Sequence, residues 1–317
     1  MSKRNIPVVD LEHFINGESA VRSEFVTELG RAFTEVGFVG VINHGVSAQL
    51  VDDFYAAAKR FFGLPVDVKR KYEVVGLAGQ RGYTSFGKEH AKQSTVADLK
   101  EFFQIGQTVS SDHPLKNQYP DNVNVAEESD FFHLGNELYQ AFEKSGGALL
   151  EAIAIYLDLT EDYFSKNIEK GNSILRAIHY PPITKEPESA IRAEQHEDIN
   201  LITLLVGASA GGLQVQDMEN NWLPVLPDKG EIVVNVGDML HRMSNGKLLS
   251  TPHRVINTSG RERYSVPFFF DPNISTIVAP LPGTGAPKFD PLNFGDFLRA
   301  ELGASYDAHQ ADQSSRK

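Results

Sequence analysis

The chain has no cysteine. Without thiols it cannot be stapled by disulfides, cannot use a thiolate nucleophile and cannot build a thiolate zinc or iron-sulfur site, so any metal must sit on nitrogen and oxygen. Positive charge is also scarce: 30 Lys and Arg stand against 42 Asp and Glu, a formal net charge of -12 and a pI near 5.3. That balance argues against a nucleic-acid backbone or an anionic membrane as the main partner. No apolar run is long enough to span a bilayer, and the start lacks a basic segment followed by an apolar one. These absences predict a soluble cytoplasmic protein with neither a nucleic acid nor a membrane as its main partner; they leave its oligomeric state open. What remains is 317 residues with 41% hydrophobic content, enough for one large domain or two closely packed ones.

Periodicity divides the chain into a helical half and a strand-rich half. Val21, Phe25, Leu29, Ala32, Phe33 and Val36 recur at helical spacing, as do Leu50, Phe54, Ala58, Phe61 and Phe62, with Phe38 to Ile42 reading as a short strand between them. A long amphipathic stretch from Glu128 to Leu157 predicts a central supporting helix, broken at Gly146-Gly147. From Ile174 onward short strands alternate with turns: Leu175 to Tyr180, Leu201 to Val206, Leu213 to Gln216, Ile232 to Val236, His253 to Asn257 and Tyr264 to Phe270. Such a series predicts a two-sheet jelly roll. The tail after Pro280 gives one short helix near Phe294 to Leu302 and ends in a polar stretch expected to be mobile. The boundaries this suggests are 1–125, an N-terminal region; 126–171, supporting helices; 172–275, the jelly roll; and 276–317, the tail.

Five polar residues in the second half carry the chemistry. His196 and Asp198 stand at i and i+2, a spacing that puts both side chains on one face of an extended strand, and His253 is the candidate for a third ligand. Two imidazoles and one carboxylate on one face of an octahedron suit non-haem Fe(II) and leave the opposite face open. Arg263 and Ser265 are again i and i+2, placing a guanidinium fork and a hydroxyl where they can grip a carboxylate. Other polar features have plainer readings. Asn43-His44-Gly45 is a turn, His179 and His241 are left out of the ligand set, and Gly207 to Gly212 lacks the Lys-Ser/Thr of a phosphate loop and reads as a turn.

The order of these residues, together with several flanking blocks, resembles the iron- and 2-oxoglutarate-dependent oxygenases, in the branch that includes isopenicillin N synthase. The blocks are Ile6-Pro7-Val8-Val9-Asp10, Gly37 to Gly45, Tyr180-Pro181, His196-Glu197-Asp198 with Leu201 to Leu205, Gly211 to Val215, Asn235-Val236-Gly237-Asp238, Ser244-Asn245-Gly246, Pro252-His253-Arg254-Val255 and Arg263-Tyr264-Ser265. They span most of the chain. The resemblance implies a mixed α+β fold with a double-stranded β-helix (jelly-roll) core, a helical N-terminal region and supporting helices. It implies Fe(II) on His196, Asp198 and His253, with 2-oxoglutarate and O2 as cosubstrates. Arg263 and Ser265 would hold the distal carboxylate of 2-oxoglutarate. Tyr180 matches the family tyrosine that reaches the same carboxylate, and it reads equally as packing at a strand end.

By the same resemblance Phe269, which alternation places on the face of Arg263 and Ser265, lines the substrate pocket, with Phe102 and Gln104 as a second wall. The implied reaction is oxidation, by default hydroxylation, of a small organic substrate with release of succinate and CO2. Two departures from the family pattern stand out, and the first keeps an alternative open. Glu197 replaces the Thr of plant members and gives the His-Glu-Asp of isopenicillin N synthase, and Ile178-His179-Tyr180-Pro181 replaces Asn-Tyr-Tyr-Pro. An oxidase using O2 without 2-oxoglutarate therefore stands as the second reading, although the tail does not match the C-terminal glutamine region of that enzyme. A metal-free jelly-roll binding module would require a lost ligand, and all three are present.

Overall fold

The β-branched and aromatic segments assemble into two sheets laid face to face, seen in a computed structural model that describes residues 5–77, 79–88, 99–182, 191–207, 211–256 and 261–306. The larger sheet has eight strands in the order β1 (Val8–Asp10), β2 (Phe38–Ile42), β10 (Ile232–Val236), β7 (Ile202–Val206), β12 (Arg263–Phe270), β5 (Ile174–Tyr180), β4 (Glu101–Gly106) and β3 (Gly82–Thr84). The smaller sheet has the order β6 (Ile191–His196), β11 (His253–Ile256), β8 (Leu213–Gln216) and β9 (Trp222–Pro224). A short hairpin, β13 (Ile277–Val278) and β14 (Leu292–Asn293), lies apart from both. Four strands of the larger sheet come from residues before 107, so the N-terminal segment is woven into the sheet that carries the site.

Register assigns each strand residue to one of two faces, because paired residues point the same way. Phe102 pairs with Ile178, Gln104 with Arg176, Ile178 with Ser265, Tyr180 with Arg263, Phe269 with Thr203, Thr203 with Asn235 and Asn235 with Phe38. All of these look toward the smaller sheet. Their neighbours, among them Phe103, Ile105, Leu175, Ala177, Leu204, Val234, Val266 and Phe268, look the other way into the main core with the helices. There Phe61 of the helix Ala48–Phe62 meets Phe103 at 5.1 Å, and Phe268 meets Tyr139 and Phe142 of the helix Ser129–Tyr156 at 4.9 and 5.5 Å. A smaller apolar cluster of Ile6, Phe38, Val215, Val225 and Val233 fills part of the space between the sheets.

The predicted strands appear with boundaries shifted by at most one residue, and Asn257 lies outside the described residues, as do Ala208 to Ala210 and the tail from 307. Strand β6 was not anticipated, since Arg192, Glu194 and Gln195 mask any apolar run. The helix near Phe294 extends to Tyr306. Among the described residues no helix is long and apolar enough to cross a membrane.

The expected break at Gly146-Gly147 is absent: Ser129–Tyr156 is one helix of 28 residues. Gly146 is there for contact. A Cβ at this position would lie 2.6 Å from Phe270 Cδ1, whereas one at Gly147 would meet nothing within 4 Å. The two adjacent glycines should therefore respond oppositely to alanine. Gly147→Ala should stabilise by up to about 1 kcal/mol through helix propensity, while Gly146→Ala should lose that gain to overpacking costing roughly 1 to 3 kcal/mol. Thermal melts of the two variants check the sign, and equal shifts would contradict the packing described.

Candidate metal centre and carboxylate clamp

The two histidines are cross-strand partners. His196 ends β6, His253 opens β11, and the antiparallel register sets them directly opposite one another with ring centroids 4.4 Å apart. Asp198 does not share the strand with His196, contrary to the i, i+2 reading. It lies in the turn beyond β6, and that turn carries its carboxylate inward. Asp198 Oδ1 lies 3.8 Å from His196 Nε2 and 3.8 Å from His253 Nε2, and the three donor atoms all fall within 4.8 Å of one another.

The surrounding hydrogen bonds decide which atoms face the centre. Thr203 Oγ1 and Asn235 Nδ2 both donate to Asp198 Oδ2, at 2.5 and 2.9 Å, which leaves Oδ1 turned toward the imidazoles. Asn200 Nδ2 in turn donates to Thr203 Oγ1 at 2.8 Å. His196 Nδ1 faces the Glu194 carbonyl at 2.7 Å and His253 Nδ1 the Thr251 carbonyl at 3.3 Å. A carbonyl only accepts, so both rings carry their proton on Nδ1 and present an Nε2 lone pair. Phe38 packs edge-on against His253 at 5.5 Å and fixes that ring. Two neutral nitrogen donors and one carboxylate oxygen, converging and oriented by outer partners, fit a divalent iron.

Protonation favours the same state. Burial, helped by the neighbouring His196, pushes His253 down to about 4 from 6.5, so the ring is neutral and ligand-competent at physiological pH. Burial works to raise Asp198, but the two histidines when charged and the bonds from Asn235 and Thr203 outweigh it and hold the carboxyl below its ordinary value. For His253 the unfolded chain binds a proton at 6.5 that the folded chain refuses until about 4. Stability of the metal-free protein should therefore drop as pH falls through that window. The melting temperature should be lower at pH 5 than at pH 7, and His253→Gln should shrink the difference; an undiminished difference would exclude His253 as a source.

Arg263 and Ser265 begin β12, are 1% and 4% exposed, and look into the space between the sheets. Tyr180, the cross-strand partner of Arg263, lies with its ring centroid 5.0 Å from the guanidinium carbon. It also packs with Phe102 and Ile178, so the two readings of Tyr180 are compatible. Phe102, Gln104 and Phe269 all lie on this inward face. The residue that links them was missed: Arg176 donates from Nε to Gln104 Oε1 at 2.9 Å and stands over the rings of Phe102 and Phe269 at 4.3 and 5.2 Å. A cation in the middle of an otherwise apolar strand was the available signal. Thr203 and Asn235 were also missed, although both stand in the quoted blocks.

The histidines set aside have other duties. His44 Nε2 contacts the Gly230 carbonyl at 3.1 Å, and His241 Nδ1 contacts the Leu248 carbonyl at 2.6 Å. His179 faces outward between Glu101 and Glu262, at 2.7 and 2.9 Å, with Lys69 also on Glu101.

Comparison with known proteins agrees with this geometry. Residues 6–128 match the family model for the non-haem dioxygenase in morphine synthesis N-terminal region, and residues 171–272 match the 2OG-Fe(II) oxygenase superfamily. The chain is 33% identical to the 2-oxoglutarate-Fe(II) type oxidoreductase hxnY of Emericella nidulans, covering 96% of this chain and 91% of that protein. Among solved structures, a Caulobacter crescentus protein classed with the 2OG-Fe(II) oxygenases superposes with a TM-score of 0.85 at 38% identity, over 95% of this chain and 99% of that one. A full-length Neurospora crassa protein, solved in complex with thymine and alpha-KG (2-oxoglutarate), superposes with a TM-score of 0.82 at 28% identity, over 94% and 96%. The jelly-roll core, the converging His-Asp-His set and these likenesses make the chain a member of the iron(II)- and 2-oxoglutarate-dependent oxygenase family, an oxidoreductase that uses Fe(II), 2-oxoglutarate and O2.

Proposed function

We propose that His196 Nε2, Asp198 Oδ1 and His253 Nε2 hold one Fe(II), that Arg263, Ser265 and Tyr180 receive the distal carboxylate of 2-oxoglutarate, and that a small organic molecule is hydroxylated against Phe102 and Phe269. The observation that carries this reading is the division of labour on Asp198, where Oδ2 is consumed by Thr203 and Asn235 and Oδ1 is left for the metal. Bound Fe(II) supplies activation of dioxygen at the positions that three facial donors leave open, with 2-oxoglutarate giving up two electrons as it becomes succinate and CO2. The chain supplies position. Asp198 and His253 side chains are 6% and 9% exposed while that of His196 is 41% exposed, so solvent meets the centre from the His196 side. Arg263, itself 1% exposed, fixes the cosubstrate in a water-poor setting, and the two phenyl rings set the distance of the reacting C-H bond. The neighbour that holds alpha-KG with thymine supports a small-molecule substrate.

Anaerobic titration of the Fe(II)-loaded protein with 2-oxoglutarate should produce a visible absorption band from chelation of the metal by the keto acid, and oxygen should then yield succinate. No band and no succinate, with oxygen uptake dependent only on a carboxylate-bearing substrate, would replace this reading with the oxidase one. Phe269→Ala should lower product formed per succinate, since a loosely held C-H bond is poorly presented; unchanged coupling would return Phe269 to a packing role.

A further inference from the structure

Asn200 is 1% exposed, yet half of its amide goes unused: Oδ1 has no hydrogen-bond partner. The slot around it is tight. A Cβ on Gly237 would collide with that oxygen, so the glycine is what leaves the side chain room. The turn that carries Asn200 is held by main-chain bonds, from Gly237 N to the Leu201 carbonyl at 2.9 Å, from Asp238 N to the Asp198 carbonyl at 2.7 Å and from Met239 N to the Asn200 carbonyl at 3.1 Å. An apolar residue would fill the slot without leaving a buried oxygen unmet, which is costly. What the amide brings is its donor.

Counting hydrogens shows where that donor acts. Thr203 has one hydroxyl hydrogen and two polar neighbours, Asp198 Oδ2 at 2.5 Å and Asn200 Nδ2 at 2.8 Å. A carboxylate oxygen only accepts, so the hydroxyl gives its hydrogen to Oδ2. The contact with Asn200 then runs the other way, N-H into the hydroxyl oxygen. With that lone pair taken, the hydroxyl is aimed at Oδ2, and a hydroxyl that accepts one bond donates the next more strongly. Thr203 is itself 4% exposed, so little water competes for the hydrogen.

We infer that Asn200 is a positioning residue for the metal centre. It acts through Thr203, directing the hydroxyl hydrogen onto Asp198 Oδ2 and so keeping Oδ1 turned toward His196 and His253. The inference rests on the assignment of Asp198 as a metal ligand. It also accounts for the glycine at 237, which makes the slot that holds the amide in place.

The test measures Co(II) dissociation constants of the full chain from its visible absorption, without 2-oxoglutarate or oxygen. Asn200→Ala and Asn200→Leu are each made alone and together with Thr203→Val. Thr203→Val should weaken Co(II) by roughly 10- to 100-fold, and each Asn200 variant by about tenfold. In the Thr203→Val background either Asn200 change should add less than about twofold, because the hydroxyl through which it acts is gone. A role in packing alone would add its full effect in both backgrounds. Melting curves of the metal-free proteins are recorded alongside, the leucine variant filling the slot where alanine leaves it empty. An Asn200 variant that binds Co(II) as tightly as the natural chain, or whose loss persists undiminished beside Thr203→Val, overturns the inference. Loss of the fold in both Asn200 variants would make the residue structural and overturn it as well. Co(II) affinity that Asp198→Ala leaves unchanged defeats the ligand reading itself, whatever Asn200 does.

Discussion

Asp198→Ala is expected to remove Fe(II) binding and with it succinate formation, a larger loss than any other single change at the centre. The carboxylate is the one anionic donor of the set and lies 3.8 Å from each imidazole nitrogen. Two neutral rings do not neutralise a divalent ion, and removal of the carboxyl also strands the Asn235 and Thr203 donors in a buried site. His253→Ala should be nearly as severe, and the double variant should add little, because the ligands act as one unit. Asn235→Leu is the graded control. It leaves all three donors but frees Oδ2 to turn, so metal affinity should fall by roughly 10- to 100-fold. Iron retained per chain after desalting, together with succinate formed, reads all four variants; a metal-replete Asp198→Ala protein would remove the carboxylate from the ligand set.

Arg263→Ala should weaken 2-oxoglutarate by an amount set by a charge-assisted pair in a site that is almost closed. The arginine is 1% exposed, so water does little to screen it. Truncating one side of such a pair costs on the order of 2 to 5 kcal/mol, or roughly 30- to 5,000-fold in affinity. Arg263→Lys should recover only part of that, since a single ammonium cannot reproduce the two parallel bonds of the fork. The dissociation constant from the anaerobic absorption titration is the measure. An Arg263→Ala protein with unaltered affinity would mean that the cosubstrate is held elsewhere and that the inward position of Arg263 serves the fold alone.

How much of this was legible in the residues depends on range. Strands β8 and β10 were readable to the residue because their apolar content and flanking turns are local signals. The ligands were legible through their order along the chain, yet the reason given for His196 and Asp198, a shared strand face, was wrong in detail. Nothing local says that β6 stops at His196 and that a turn delivers Asp198. The pairing of His196 with His253 is a contact across 57 positions, invisible to any periodicity. Gly146 misled for a related reason: its helix-weakening character is local, whereas the close approach of Phe270 that requires a glycine is tertiary. Arg176 could have been flagged by its neighbours, since Ile174, Leu175, Ala177 and Ile178 give a cation no local reason to be there.

Strand β12 reads as two interleaved sentences. Arg263, Ser265 and Phe269 address the space between the sheets, and Val266, Phe268 and Phe270 address the helices. The same alternation runs through β5 and β4, so chemistry and folding are encoded by different members of the same short segments. Such an arrangement makes the enzyme evolvable. On the proposed function, changes confined to the inward-facing Phe102, Gln104 and Phe269 should redirect which molecule is accepted while the main core keeps its packing, whereas changes at Phe103, Ile105, Leu175, Ala177 and Phe268 would unsettle the fold itself. The converging His196, Asp198 and His253 stand outside those positions, so such changes would leave the candidate ligand set as it is.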